Sequence, residues 1–93
     1  MTAPILSLAD LPLRAAAEVV DVLSPAESPE LADRLAEIGF LPGEPVRVLM
    51  RAAGGDPLAV RVSDSTFALR RVEAACVRVR AVPVPVPASA PTR

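Results

Sequence analysis

A small, mainly β barrel of five short strands, with one α-helix after the first strand and a short 3₁₀ turn before the last, is the fold predicted by this sequence. Three observations carry that prediction. Short Val-rich segments alternate apolar and charged residues, turns bearing Gly, Pro, Ser or Asp separate them at close intervals, and one stretch alone repeats its apolar residues at helical spacing. At 93 residues the chain has room for one hydrophobic core. Apolar residues make up 52% of it, but its aromatics are two Phe, so that core is built from Val, Leu, Ile and Ala.

Taken in order, residues 1–14 form a lead-in with two prolines and a short apolar pattern, Ile5, Leu6, Leu8, Leu11 and Leu13, read as a turn-rich cover for one end of the core. Residues 15–23 are rich in Val, end at Ser24-Pro25, and make the first strand. Ser28-Pro29-Glu30-Leu31 then has an N-cap serine followed by proline at the first helical position, where a missing N–H does no harm. Leu31, Leu35 and Ile38 recur at helical spacing, with Glu30, Asp33, Arg34 and Glu37 on the other side. Gly39 suits the left-handed position that ends such a helix.

Residues 45–53 alternate, with Val46, Val48 and Met50 expected on one face and Arg47, Leu49 and Arg51 on the other. Gly54-Gly55-Asp56-Pro57 supplies hairpin turn chemistry, Leu58 to Val62 alternates again, and Ser63-Asp64-Ser65 makes a second tight connection. A strand over 66–70 follows with Phe67 and Leu69 on one face, then a one-turn 3₁₀ bridge over 71–75. The last strand, 76–81, directs Val77, Val79 and Ala81 inward and Arg78 and Arg80 outward. From Val82 the tail reads VPVPVPASAPTR; its X-Pro pairs remove ladder donors and favour polyproline II, and disorder is expected over 82–93. Closing or nearly closing the sheet shelters its edges, and an SH3-like barrel is the simplest such arrangement.

Several function classes lose ground on composition. Ten Arg and no Lys face eleven acidic residues, for a net charge of −1, whereas nucleic-acid modules draw most of their affinity from a basic excess. One cysteine, Cys76, permits no intrachain disulfide, and the N-terminus lacks a secretory pattern, so a cytoplasmic location is expected. Uninterrupted apolar runs fall far short of the roughly 20 residues needed to cross a bilayer.

The chain has no His, Tyr or Lys, so acid–base chemistry would fall to carboxylates, and no catalytic residue is assigned. Asp33 and Glu37 are read as a solvated helix face. A dedicated transition-metal site would need several carboxylates to converge without imidazole, and no spacing announces one, so neither metal site nor cofactor is expected. Cys76 is either a small packing residue or a thiol perturbed by nearby arginines. Arg70-Arg71 and Arg78/Arg80 are either the solvent face of the sheet or a patch for an acidic or phosphorylated partner. With two Phe alone, a groove for proline motifs is not expected.

The stretch Gly39-Phe40-Leu41-Pro42-Gly43 places two bulky apolar residues in a turn. Pro42-Gly43 suits positions i+1 and i+2 of a type II turn. Phe40 and Leu41 are neighbours in an extended connector, so one is expected to anchor the helix on the barrel and the other to face outward. The expected partner-binding patch comprises Phe40, Leu41, Pro42, Gly43 and Arg70.

Leu35 to Gly39, Phe40 to Gly43, Val46 to Arg51, Gly55 to Leu58 and Ala68 to Ala74 occur in an order that resembles the FeoA family, ferrous iron transport protein A. The resemblance spans residues 15–81. Phe40 stands where that family usually has leucine, and the Pro-rich tail lies outside its pattern. What the resemblance implies is a cytoplasmic SH3-like module, not known as an enzyme, that supports a membrane ferrous-iron transporter bearing its own GTP-binding domain. A monomer or weak oligomer, held at the inner face of the membrane through that partner, is expected. A similar module is fused to iron-dependent repressors, so the resemblance also implies an alternative, a metal- or ligand-sensing regulatory unit.

Overall fold

In the computed structural model, residues 4–82 are described. The chain builds β1 (Ile5–Ser7), β2 (Ala17–Val22), α1 (Leu31–Glu37), β3 (Pro45–Arg51), β4 (Leu58–Val62), β5 (Ser65–Leu69), α2 (Arg71–Ala74) and β6 (Val77–Ala81). The strands form one antiparallel sheet in the order β1-β6-β2-β3-β4-β5. The disorder expected over 82–93 lies, apart from Val82, whose N–H donates to the Ala16 carbonyl at 2.9 Å, outside the described residues.

The sheet has six strands where five were expected. The extra one, β1, comes from the lead-in and pairs with the last strand, Leu6 opposite Val79. Three residues are too few to announce a strand by alternation, and their partner lies near the other end of the sequence. A single 3₁₀ turn, Leu8–Asp10, then drives Leu8 and Leu11 fully into the core.

Alternation places the interior elsewhere as well. Leu58, Val60 and Val62 of β4 and Val77 and Val79 of β6 are buried with Val19, Val46, Val48, Leu31, Leu35 and Phe40 in one apolar cluster. No polar or charged residue is buried among the described residues, which suits a core without means to satisfy hydrogen bonds. Met50 departs from its expected inward position and is 61% exposed. A register shift between Val48 and Met50 inserts an extra residue opposite β4, and such a bulge reverses which face the following side chains take. Arg51 thereby reaches across to the lead-in, where its Nη2 donates to the carbonyls of Ala9 at 3.1 Å and Leu11 at 2.7 Å.

The first helix starts later than expected and the second, which starts at Arg71 as expected, differs in type. α1 begins at Leu31, after a turn in which the Leu31 N–H donates to the Ser28 carbonyl at 3.1 Å. Its free first-turn N–H at Ala32 is satisfied by Ser24 Oγ at 2.7 Å, a cap supplied from eight residues upstream in place of Ser28. The short turn before the last strand is α rather than 3₁₀, with Ala74 and Ala75 donating to the carbonyls of Arg70 and Arg71, each at 2.9 Å. Glu73 Oε1 accepts from the Arg70 N–H, and Asp56 Oδ1 from the Arg71 N–H, so α2 is tied to the β3–β4 hairpin. β5 spans 65–69 and β6 starts at Val77, each within a residue of its expected start.

On the outer face, β6 and β2 exchange charge. Arg78 grips Asp21 through Nε at 2.6 Å and Nη2 at 2.5 Å, and Arg80 Nε lies 3.5 Å from Glu18. The hydrogen bonds from Arg78 hold the Asp21 carboxyl below its usual range, opposed in part by desolvation. A carboxyl whose folded-state pKa is depressed stabilises the fold above its unfolded value, and that contribution disappears as pH falls through the lowered value. Asp21→Asn is therefore expected to unfold at lower denaturant than the parent near neutral pH, with the gap closing in acid. Unfolding midpoints across that pH range check this, and a gap independent of pH would contradict it.

Candidate docking site at the helix–barrel connector

The link from α1 to β3 is held by its own backbone. Ile38 ends the helix, Gly39 has φ 121°, and the N–H groups of Gly39 and Phe40 donate to the carbonyls of Ala36 at 3.1 Å and Leu35 at 3.0 Å. These are the two bonds of a Schellman stop, whose hydrophobic contact pairs the residue after the glycine with the helix's last turn. Phe40 and Leu35 supply that contact inside the core.

Leu41 to Glu44 then closes a β-turn, the Glu44 N–H donating to the Leu41 carbonyl at 3.0 Å, with Pro42 at its second position and Gly43 at its third with φ 88°. That sign of φ at the third position is what a type II turn requires and glycine permits. Gly43 N–H donates to the Val19 carbonyl at 2.7 Å and Val19 N–H to the Glu44 carbonyl at 2.9 Å, so the turn is fastened to β2. Ser63 Oγ donates to Glu44 Oε1 and the Ser63 N–H to the Pro45 carbonyl at 3.1 Å, which fastens it to the β4–β5 turn as well.

The two neighbouring apolar residues separate across this frame. Phe40 is 1% exposed and Leu41 46% exposed, with Pro42 and Gly43 also on the surface. Phe40 therefore has no face to offer a partner and acts by holding the connector, while Leu41 and Pro42 project from a backbone already fixed. A fixed apolar projection loses little conformational entropy on docking.

Arg70 does not join them. It follows Leu69, which pairs with Leu58, whereas the connector lies against Val62 at the opposite end of β4. Arg70 lines a groove of about 650 Å³ with Pro25, Ser28, Leu31, Val72 and Cys76. Arg34 of α1 reaches Glu73 there at 3.1 Å. Cys76 is half-buried at this groove, with Sγ 3.4 Å from the Val72 carbonyl and its residue packed against the core cluster. Asp33 and Glu37 are exposed on α1. Among the described residues no group of three His, Cys, Asp or Glu side chains converges. No helix of the described residues is long and apolar enough to cross a membrane.

The architecture defines a class, a small SH3-like barrel of antiparallel strands. The FeoA domain family matches residues 6–81, and the chain belongs to it. That match begins nine residues before the span expected from motifs, because it takes in most of β1 (from residue 6 against residue 15). No curated protein matches the chain. Among solved structures it is similar to the Stenotrophomonas maltophilia FeoA complexed with zinc, at 41% identity and TM-score 0.70 over 85% of this chain and 88% of that one. That protein is described as a prokaryotic SH3 domain protein and a suggested ferrous iron transport activating factor. The FeoA protein of Chlorobium tepidum is 28% identical, with TM-score 0.74 over 84% of this chain and 71% of that one. A manganese-dependent transcriptional repressor, 21% identical, shares the fold with TM-score 0.73 over 88% of this chain and 44% of that one.

Proposed function

We propose that this chain is a non-enzymatic, cytoplasmic accessory protein of ferrous iron uptake that docks on the GTP-binding domain of a membrane ferrous-iron transporter and modulates it. Membership of the FeoA family supports the pathway. The observation that carries the docking role is Leu41, half exposed beside a buried Phe40 on a turn pinned to β2 and β4–β5. Modulation requires different affinity for two states of the transporter, since a ligand that binds both equally shifts neither.

The test is binding of the full chain to the transporter's GTP-binding domain loaded with GDP or with a non-hydrolysable GTP analogue. Tighter binding to one form, lost with Leu41→Asp, is the expected result. Equal affinity removes the modulatory role, and no binding to either removes the docking role.

A second reading rests on the likeness to the manganese-dependent repressor: a regulatory module that senses metal or ligand. It expects tight Fe²⁺ binding by the isolated chain or association with a DNA-binding protein. The lack of a three-residue ligand group among the described residues ranks it second.

A further inference from the structure

Arg51 of β3 is held by backbone carbonyls of the lead-in, and several other arginines meet acids. Arg78 and Arg80 on β6 each meet an acid from β2, Asp21 and Glu18, and Arg34 meets Glu73. Arg47 of β3 and Arg61 of β4 do not: the register sets them directly opposite one another, both are exposed, and neither forms an ion pair among the described residues. Like charges directly opposite on a sheet repel and destabilise it. The carboxylates closest along the chain are otherwise engaged or unpaired with them: Glu18 faces Arg80, Glu44 accepts from Ser63, and Asp64 forms no ion pair with either arginine.

These two arginines border a cleft of about 240 Å³ whose other walls are Ala16, Ala17, Pro45, Val46 and Ser63. It opens where β2 and β3 are joined through two residue pairs only, Ala17 with Val46 and Glu18 with Pro45. Its lining combines small or apolar residues with one hydroxyl, Ser63, and two guanidinium forks, Arg47 and Arg61. Such forks match the two oxygens of a carboxylate, and the apolar wall suits the methylene stem of an acidic side chain or a neighbouring aliphatic residue.

We propose that this cleft on β2–β4 binds an acidic, carboxylate-bearing segment of a partner protein, with Arg47 and Arg61 as its anion-recognition pair. Charge complementarity selects that occupant. Residues 83–93 of the chain itself contain no Asp or Glu and include Arg93, so that segment does not complement the cleft. A polyanion such as nucleic acid is disfavoured by the net charge of −1, since two arginines release few counterions. The site is separate from Leu41 and goes beyond the docking role assigned there.

The test uses the full ¹⁵N-labelled chain and a synthetic peptide of alternating Leu and Glu, with inorganic phosphate and a short single-stranded DNA as parallel arms. Amide shifts confined to Ala16, Ala17 and the facing residues of β3 and β4 are expected with the peptide, falling away as salt is raised. Arg47→Gln with Arg61→Gln is expected to weaken the peptide about tenfold, since exposed charge pairs contribute modestly each. The unfolding midpoint should not fall, because the substitutions remove a repulsion. Leu41→Asp should leave peptide binding unchanged, which keeps this result distinct from any failure of transporter docking. No shifts, shifts elsewhere, or affinity unaltered in the double variant would overturn the proposal. Phosphate or DNA binding at least as tightly as the peptide would overturn the assignment to a carboxylate segment.

Discussion

Phe40→Ala is expected to lower stability by about 3–5 kcal/mol, a large share of the roughly 5–15 kcal/mol typical of whole domains. The reason lies in three roles held by one side chain. Phe40 is the largest fully buried residue, it closes the Schellman stop of α1 against Leu35, and it sets where Leu41 points. Removing the ring leaves a cavity in a core that has one other, half-buried Phe and no Trp or Tyr with which to refill it. The neighbouring Leu41→Asp is expected to stay within about 0.5 kcal/mol of the parent, as surface substitutions do, while removing transporter binding. Denaturant midpoints of the two variants, read with their slopes, make the comparison. Equal losses would mean that the connector is sealed inside, and the docking role of Leu41 would fall with it.

Arg51→Met carries the second large effect. It keeps the length of the aliphatic stem but removes the group that donates to both the Ala9 and Leu11 carbonyls. Hydrogen bonds to charged groups contribute about 1.5–3 kcal/mol, so a loss of about 2 kcal/mol is expected from one substitution at a half-buried surface position. The loss should be local before it is global. β1 pairs through three residues, and the turn after it is the one Arg51 tethers, so amide exchange at Leu6 and Leu8 should accelerate more than exchange on β4. Uniform acceleration across the sheet would show that Arg51 acts on the whole domain rather than on its first strand.

How much of this was legible in the sequence depends on the range of the interactions. α1, the β3–β4–β5 meander and the last strand follow from spacing within a few residues, and the structure has them within a residue or two of the expected limits. The type II turn at Pro42-Gly43 is local chemistry of the same kind. β1 escaped because its pairing with β6 joins residues that only the folded chain brings together. Met50 and Arg51 were assigned to the wrong faces because a bulge leaves no composition signal in a strand of Val, Arg, Leu and Met. Ser24 replaced Ser28 as the cap of α1 because side chains reach donors that sequence proximity does not rank.

At the candidate site, separating Phe40 from Leu41 needed nothing beyond the alternation of an extended segment, whereas grouping Arg70 with them assumed a nearness that the length of β4 forbids. Counting outward from the Arg51–Leu58 pair at the hairpin turn sets Arg47 against Val62 and Val48 against Arg61, so it does not place the two arginines opposite one another. The bulge after Val48 shifts that count by one, and with it the facing of the two arginines.

The pairing of β1 with β6 has one more consequence, for the order in which the domain is assembled. Arg78, Val79 and Arg80 of β6 pair with both β1 and β2, so on a chain still emerging from a ribosome β1 has no neighbouring strand until β6 is free, and β2 has only its short join to β3. The β3–β4–β5 meander closes by short loops and can form early, while β1, and the longer of the two ladders of β2, wait on a loop closure spanning most of the molecule. Synthesis itself thus sets the sequence of events, with the helix and meander as the seed and the β1–β6 pair as the clasp.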